Sequence, residues 1–161
     1  SLSKNISLRN TSVNRRKQAA IPTRDNQRYF DLEAEPPRSK LLAFSFAYVT
    51  KKKNYNFSHF KSDARKENDA RRGLDELMQE ISRHTLLELR GRSKESFGGF
   101  ERIPRARIHF HPSWNFPEDE NVWIFRFKSS DYRMLCIKDK KRKVLYIIGF
   151  DFDFSAYDHG S

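Results

Sequence analysis

The residues best suited to chemistry are basic and aromatic, and most fall in the last third of the chain. Arg126 and Lys128 close the segment VWIFRFK, and Tyr132 and Arg133 open the segment YRMLCIK. Tyr157 and His159 follow the final apolar run. Cleavage of RNA without a metal needs a base for the 2′-hydroxyl, cations for the pentacovalent phosphorane and an acid for the leaving 5′-oxygen. Arginine suits the second task, because its planar fork matches phosphate oxygens. Histidine or tyrosine can serve the first or third. The bland alternative is an outward-facing set of arginines on an exposed sheet, with Tyr157 packing a terminus.

Other constellations are weaker. His109 and His111 form an H-x-H pair that a strand would point to one face, as in some metal sites. No carboxylate or third histidine lies near in sequence, so the pair reads as surface or groove histidines and no metal is expected. Arg102 and His109 have the spacing of a helical ribonuclease motif, but Pro104 and the strand-like flanks remove the helix it needs. Asp151, Asp153 and Asp158 read more plainly as salt-bridge partners that order the tail than as a two-carboxylate metal site. No phosphate-cradling glycine loop, HExxH, EF-hand or G-x-S-x-G is present, so no cofactor is expected.

The elements that must carry these residues are legible from periodicity. Phe44, Phe46 and Tyr48 alternate with smaller residues in Leu41–Thr50, which predicts a strand. Ala70, Leu74, Leu77, Met78 and Ile81 predict a helix over 62–82, capped by Ser62 or Asp63. Thr85 and Glu88 have capping-box spacing for a short second helix that Gly91 can end. Residues 91–105 read as a loop, and RIHFH at 107–111 as an edge strand. Strands are predicted at 121–128, 132–138 and 144–150, with the basic turn DKKRK between the last two. The fold class is therefore α+β: an N-terminal strand, two helices, then an antiparallel meander of three or four strands.

Composition bounds the partners. The 161 residues carry 32 Lys and Arg against 21 Asp and Glu, a formal charge of +11. A polyanion, nucleic acid first, is the default partner of such a chain. Arg92, Arg102, Arg105 and Arg107 add a second basic cluster that suits phosphate contacts, with His109 and His111 beside it. The mean hydropathy of -0.87 hints at disorder, but 14 Phe, 6 Tyr and 2 Trp supply a core. No apolar run is long enough to span a membrane and no secretory signal is visible, so a cytoplasmic protein is expected. Cys136 is the single cysteine, which excludes an internal disulfide. Residues 1–37, closed by Pro36 and Pro37, are expected to be a basic, flexible or loosely docked arm or a linker, and 38–161 a single α+β domain.

The order strand–helix–helix–meander, the segment Tyr132-Arg133-Met134-Leu135-Cys136, the strand Val144–Phe150 and the terminal Tyr157 resemble the RelE/ParE superfamily of small bacterial toxins. The ending FDFDFSAY also resembles an acidic-aromatic FDxxHxxY pattern in prokaryotic mobile-element proteins, with Phe154 where that pattern has its histidine. The resemblance implies a metal-independent endoribonuclease toxin, with RNA, an antitoxin protein and the ribosome as partners. By motif position it gives Arg133 the scissile phosphate and Tyr157 the terminal proton-transfer role, with His159 and Lys128 as their neighbours. The alternatives are a nucleic-acid-binding module that does not cut, and a ParE-like inhibitor of a protein target.

Overall fold

The computed structural model describes residues 40–159. The proposed arm at 1–37 lies outside the described residues. Five strands and two helices follow in the order β1 (Ala43–Ser45), α1 (Ala64–Ser82), α2 (Leu86–Arg90), β2 (Phe100–Pro104), β3 (Asn121–Phe127), β4 (Tyr132–Lys138) and β5 (Val144–Asp151). They make one mixed sheet in the order β1-β5-β4-β3-β2. β1 runs parallel to β5 and every other pair is antiparallel. Among the described residues no helix is long and apolar enough to cross a membrane.

Helix α1 starts where Asp63 accepts a hydrogen bond from the Lys66 amide at 3.2 Å, which satisfies one of the donors a helix start leaves free. Its buried positions Ala70, Gly73, Leu74, Leu77 and Ile81 recur at helical spacing. Gly73 weakens a helix interior by about 1 kcal/mol relative to Ala, and packing explains it: an added Cβ would stand 3.3 Å from the Lys128 Cβ and 3.4 Å from the Phe127 ring. The helix thus sits directly on the end of β3. Thr85 caps α2 through the Glu88 amide.

Alternation sorts the strand residues into two cores. Phe125, Phe127, Met134, Cys136, Leu145 and Ile147 face α1 and α2. Val122, Ile124, Leu135, Ile137 and Ile148 face the other way, beneath Tyr55, Ile108, Phe110, Ala156 and Tyr157. The second face is therefore largely covered by apolar side chains, not an open basic surface.

The structure departs from the sequence reading in three elements. Residues 100–104, read as loop, form β2 and pair with β3. The glycines at 98 and 99 and Pro104 obscure a strand that has only two apolar side chains, and the proline falls at its end, on the sheet edge, where a missing N–H is tolerated. The RIHFH segment is no edge strand. Arg105–Arg107 form a 3-10 turn, and a single bridge joins Ile108 to Tyr157. The segment crosses the sheet face, so that Ile108 and Phe110 plug the second core. The strand expected over 41–50 shortens to Ala43–Ser45, because the chain then turns and the Thr50 amide donates to the Ile148 carbonyl at 2.8 Å.

That carbonyl belongs to a bulge. Leu135 pairs with Gly149 and Cys136 with Ile147, so Ile148 is extra on β5. Leu145 and Ile147 face the helices before the bulge, and Phe150 and Phe152 do so after it. One extra residue shifts the alternation of everything that follows. Asp151 is thereby turned to the face opposite the helices, where Arg133 is its cross-strand partner.

Candidate active site

Arg126 and Arg133 are direct cross-strand partners on β3 and β4. Both alternate away from Phe125, Phe127 and Met134, so both lie on the second face. Like charges opposite each other destabilise a sheet, and among the described residues neither arginine has a carboxylate within ion-pair distance. Arg133 is only 6% exposed. Its Nη1 donates to the carbonyls of Ser130 and Tyr132, and its guanidinium lies 5.3 Å from the Phe154 ring centre. The Nε of Arg133 and the Nε of Arg126 are both buried without a partner. A buried donor left unpaired costs about 1–3 kcal/mol, more on a charged group. An anion is the chemical partner that would satisfy such a pair.

Asp151 does not supply it. Its carboxylate is fully buried and already engaged. Oδ1 accepts from the amides of Asp153 and Ser155, and Oδ2 from the amide of Ala156. Oδ2 also binds Nε2 of His159 at 3.0 Å. These contacts fold the tail back over the sheet and place its aromatic residues beside Arg133. Because the carboxylate accepts, the His159 proton sits on Nε2 and the other ring nitrogen is left over. The imidazole lies over the Tyr157 ring with centres 4.0 Å apart, and Phe154 abuts its edge at 5.2 Å.

Tyr157 completes the cluster. Its hydroxyl donates to Oε1 of Glu101 at 3.0 Å. Burial first, and the Glu101 carboxylate second, push its pKa up to about 12, against the opposing pull of Arg133. At neutral pH the phenol is a donor and not a base. Glu101 stands on β2, with Lys94 Nζ 3.6 Å from its other oxygen. The sequence conceals it because it conceals β2. The signal was present: in FERI, Glu101 shares the parity of Ile103 and so faces the side on which the arginines lie.

Several expected members lie elsewhere. Lys128 does not extend β3. It has a left-handed backbone (φ 51°) in the turn to β4, beside Ser129 and Ser130 with φ of 52° and 68°. It borders a hollow on the helix side with Asp69, Arg72 and Glu76, apart from the arginine pair. Tyr132 also points to the helix side and packs on Phe60, Phe127 and Phe152. Arg92 is a loop staple. It binds the Phe97 carbonyl at 2.8 Å and the Glu80 carboxylate at 3.0 Å, which lowers the pKa of Glu80. Arg105 donates to the Pro117 carbonyl. Arg102 alternates to the helix side of β2 and, like Arg107, is exposed.

The two histidines of the H-x-H pair serve different surroundings. His109 Nδ1 donates to the Ser155 carbonyl at 2.9 Å, and its Nε2 is 3.5 Å from Asp158, so it fastens the tail. Among the described residues His111 has no such tie to the tail, and both histidines border a hollow with Lys51, Lys52 and Ser113. Among the described residues no group of three or more His, Cys, Asp or Glu is placed to hold a metal ion. Cys136 is wholly buried in the helix-side core, and burial pushes its thiol pKa up.

The cluster thus joins two arginines that have no carboxylate partner among the described residues, a carboxylate, a phenol and an imidazole fixed by a second carboxylate. Its chemistry would suit an anion such as a phosphate, with Glu101 to accept a proton and His159, when charged, to give one. No family model, curated protein or solved structure matches the chain.

Proposed function

We propose that the protein is a RelE-like endoribonuclease that cleaves RNA without a metal. The observation that carries this reading is the Arg126–Arg133 pair, two arginines directly opposite on neighbouring strands with both Nε atoms buried and unpartnered. Such a pair is stabilised by an oxyanion between its members. The order strand, two helices and strands, with Arg133 on the second-last strand and Tyr157 beyond the last, supports the RelE-like assignment.

In this proposal the scissile phosphate rests on Arg133 and Arg126. Glu101 takes the proton from the 2′-hydroxyl, whose oxygen attacks phosphorus. The bond to the 5′-oxygen breaks, and His159, in its imidazolium form with Nε2–H held by Asp151, gives its Nδ1 proton to that oxygen. The products are a 2′,3′-cyclic phosphate and a 5′-hydroxyl. Tyr157 stays protonated and orients Glu101 through its hydroxyl. General acid and base groups of this kind each contribute about 10²–10⁴-fold, so Glu101→Gln and His159→Ala should each slow cleavage within that range.

The test is incubation of the purified chain with RNA in EDTA, with and without ribosomes, beside Arg133→Met. Cleavage by the native protein and none by the variant is the expected result. Intact RNA in every tube overturns the enzymatic reading. Retained RNA binding under those conditions then identifies a module that grips phosphates without cutting.

A further inference from the structure

A second basic site lies outside the cluster. The two short 3-10 turns between β1 and α1, Lys53–Tyr55 and Phe57–Phe60, and the first turns of α1 enclose a cleft of about 830 Å³. Lys53, Lys61 and Arg71 line it with Asn54, His59 and Glu67. Glu67 is its one carboxylate and is already engaged by Arg71 at 3.5 Å, whose guanidinium is also stacked 4.3 Å from the Phe57 ring centre. Lys53 and Lys61 are exposed and have no carboxylate partner among the described residues, so the cleft keeps a net positive charge.

Its polar floor is preset. The Asn54 amide nitrogen donates to Asp153 and Ser155, at 3.4 and 3.2 Å. That fixes the amide so that Oδ1 faces Nδ1 of His59 at 2.9 Å. An amide oxygen only accepts, so the His59 proton sits on Nδ1. The same Asp153 and Ser155 belong to the tail that Asp151 folds over Arg133. The cleft and the arginine pair are therefore both tied to one short segment of chain, residues 151–155.

We propose that this cleft binds a backbone phosphate of the RNA strand beside the link held at Arg133. The proposal rests on the reading of the protein as RNA-acting, and deepens it: Lys53 and Lys61 set the grip on the strand and take no part in bond cleavage. A single strand contacts such a site through charge, and each phosphate contact contributes about 0.7 to the slope of log affinity against log salt.

The experiment measures binding of a fully 2′-O-methylated twelve-nucleotide RNA, which lacks the attacking hydroxyl, across a salt series. Lys53→Ala/Lys61→Ala is compared with the native chain and with Lys140→Ala/Lys143→Ala, which removes equal charge from the β4–β5 turn. The expected result is roughly tenfold weaker binding at low salt and a slope shallower by about 0.7 for the Lys53/Lys61 variant alone. Equal losses in both double variants, no loss in either, or no binding by the native chain overturns the proposal. Because the probe cannot be cut, these outcomes are separate from cleavage of unmodified RNA. A native protein that cuts RNA while the Lys53/Lys61 variant binds the probe normally loses this site and keeps its proposed activity.

Discussion

Replacing Asp151 by Ala tests how the tail is held over the sheet. The carboxylate accepts from three backbone amides and one imidazole, and the costs of losing these contacts differ with exposure. Ala156 is fully buried, so its amide is left without a partner at a cost of about 2 kcal/mol. Asp153 is exposed and Ser155 half-buried, so water replaces much of what their amides lose, about 0.5–1 kcal/mol each. The sum is about 3 kcal/mol, with the His159 contact offset by relief of the buried charge. Urea unfolding should show a lower midpoint at unchanged slope, and melting should fall on the order of 10 °C. A loss below about 1 kcal/mol would mean the tail is held by its aromatic packing, and that Asp151 positions nothing.

Other perturbations probe single contacts. Gly149→Ala places a Cβ 2.6 Å from the Phe110 ring and 3.1 Å from the Tyr55 carbonyl. Unfolding experiments should show a loss of about 1–3 kcal/mol, since a ring sealed in a core has little room to yield. Cys136 should resist a thiol reagent in the native protein and react fully in denaturant, because it is wholly buried; rapid native labelling contradicts that packing. Asp139 is held well below the usual carboxylate range, chiefly by the Tyr146 hydroxyl and then by the amides of Arg142 and Lys141. A folded pKa below the unfolded one gives stability that is present above the unfolded pKa and is lost on acidification through the folded one. Asp139→Asn should therefore flatten the fall in stability from about pH 4 downward, and an unchanged acid limb refutes the contact.

Much of the fold is legible in local patterns, and the exceptions have physical causes. β4 coincides with the apolar run YRMLCIK, and α1 begins at one of its two expected caps, because such runs and caps are local signals. β2 is short, at the sheet edge, and receives most of its definition from pairing with β3. The bulge at Ile148 leaves no mark in the alternation of VLYIIGF, in which five of seven residues are bulky and apolar. Yet that bulge decides the face on which Asp151 falls. The site was legible to the same degree. Arg126 and Arg133 emerge from strand parity alone. Lys128 does not follow them, because the chain leaves the strand in a left-handed turn one residue earlier. Arg92 has carbonyl and carboxylate partners that only tertiary structure reveals, and Glu101 depended on a strand that local signals concealed.

The most direct test of the account is end-group analysis of RNA incubated with the native protein in EDTA. The proposed phosphate centre at Arg126 and Arg133, with Glu101 and His159 as proton carriers, predicts fragments ending in a 2′,3′-cyclic phosphate opposite a 5′-hydroxyl, and none with Arg133→Met. Fragments bearing 5′-phosphates, or equal cleavage by the Arg133→Met variant, would contradict it.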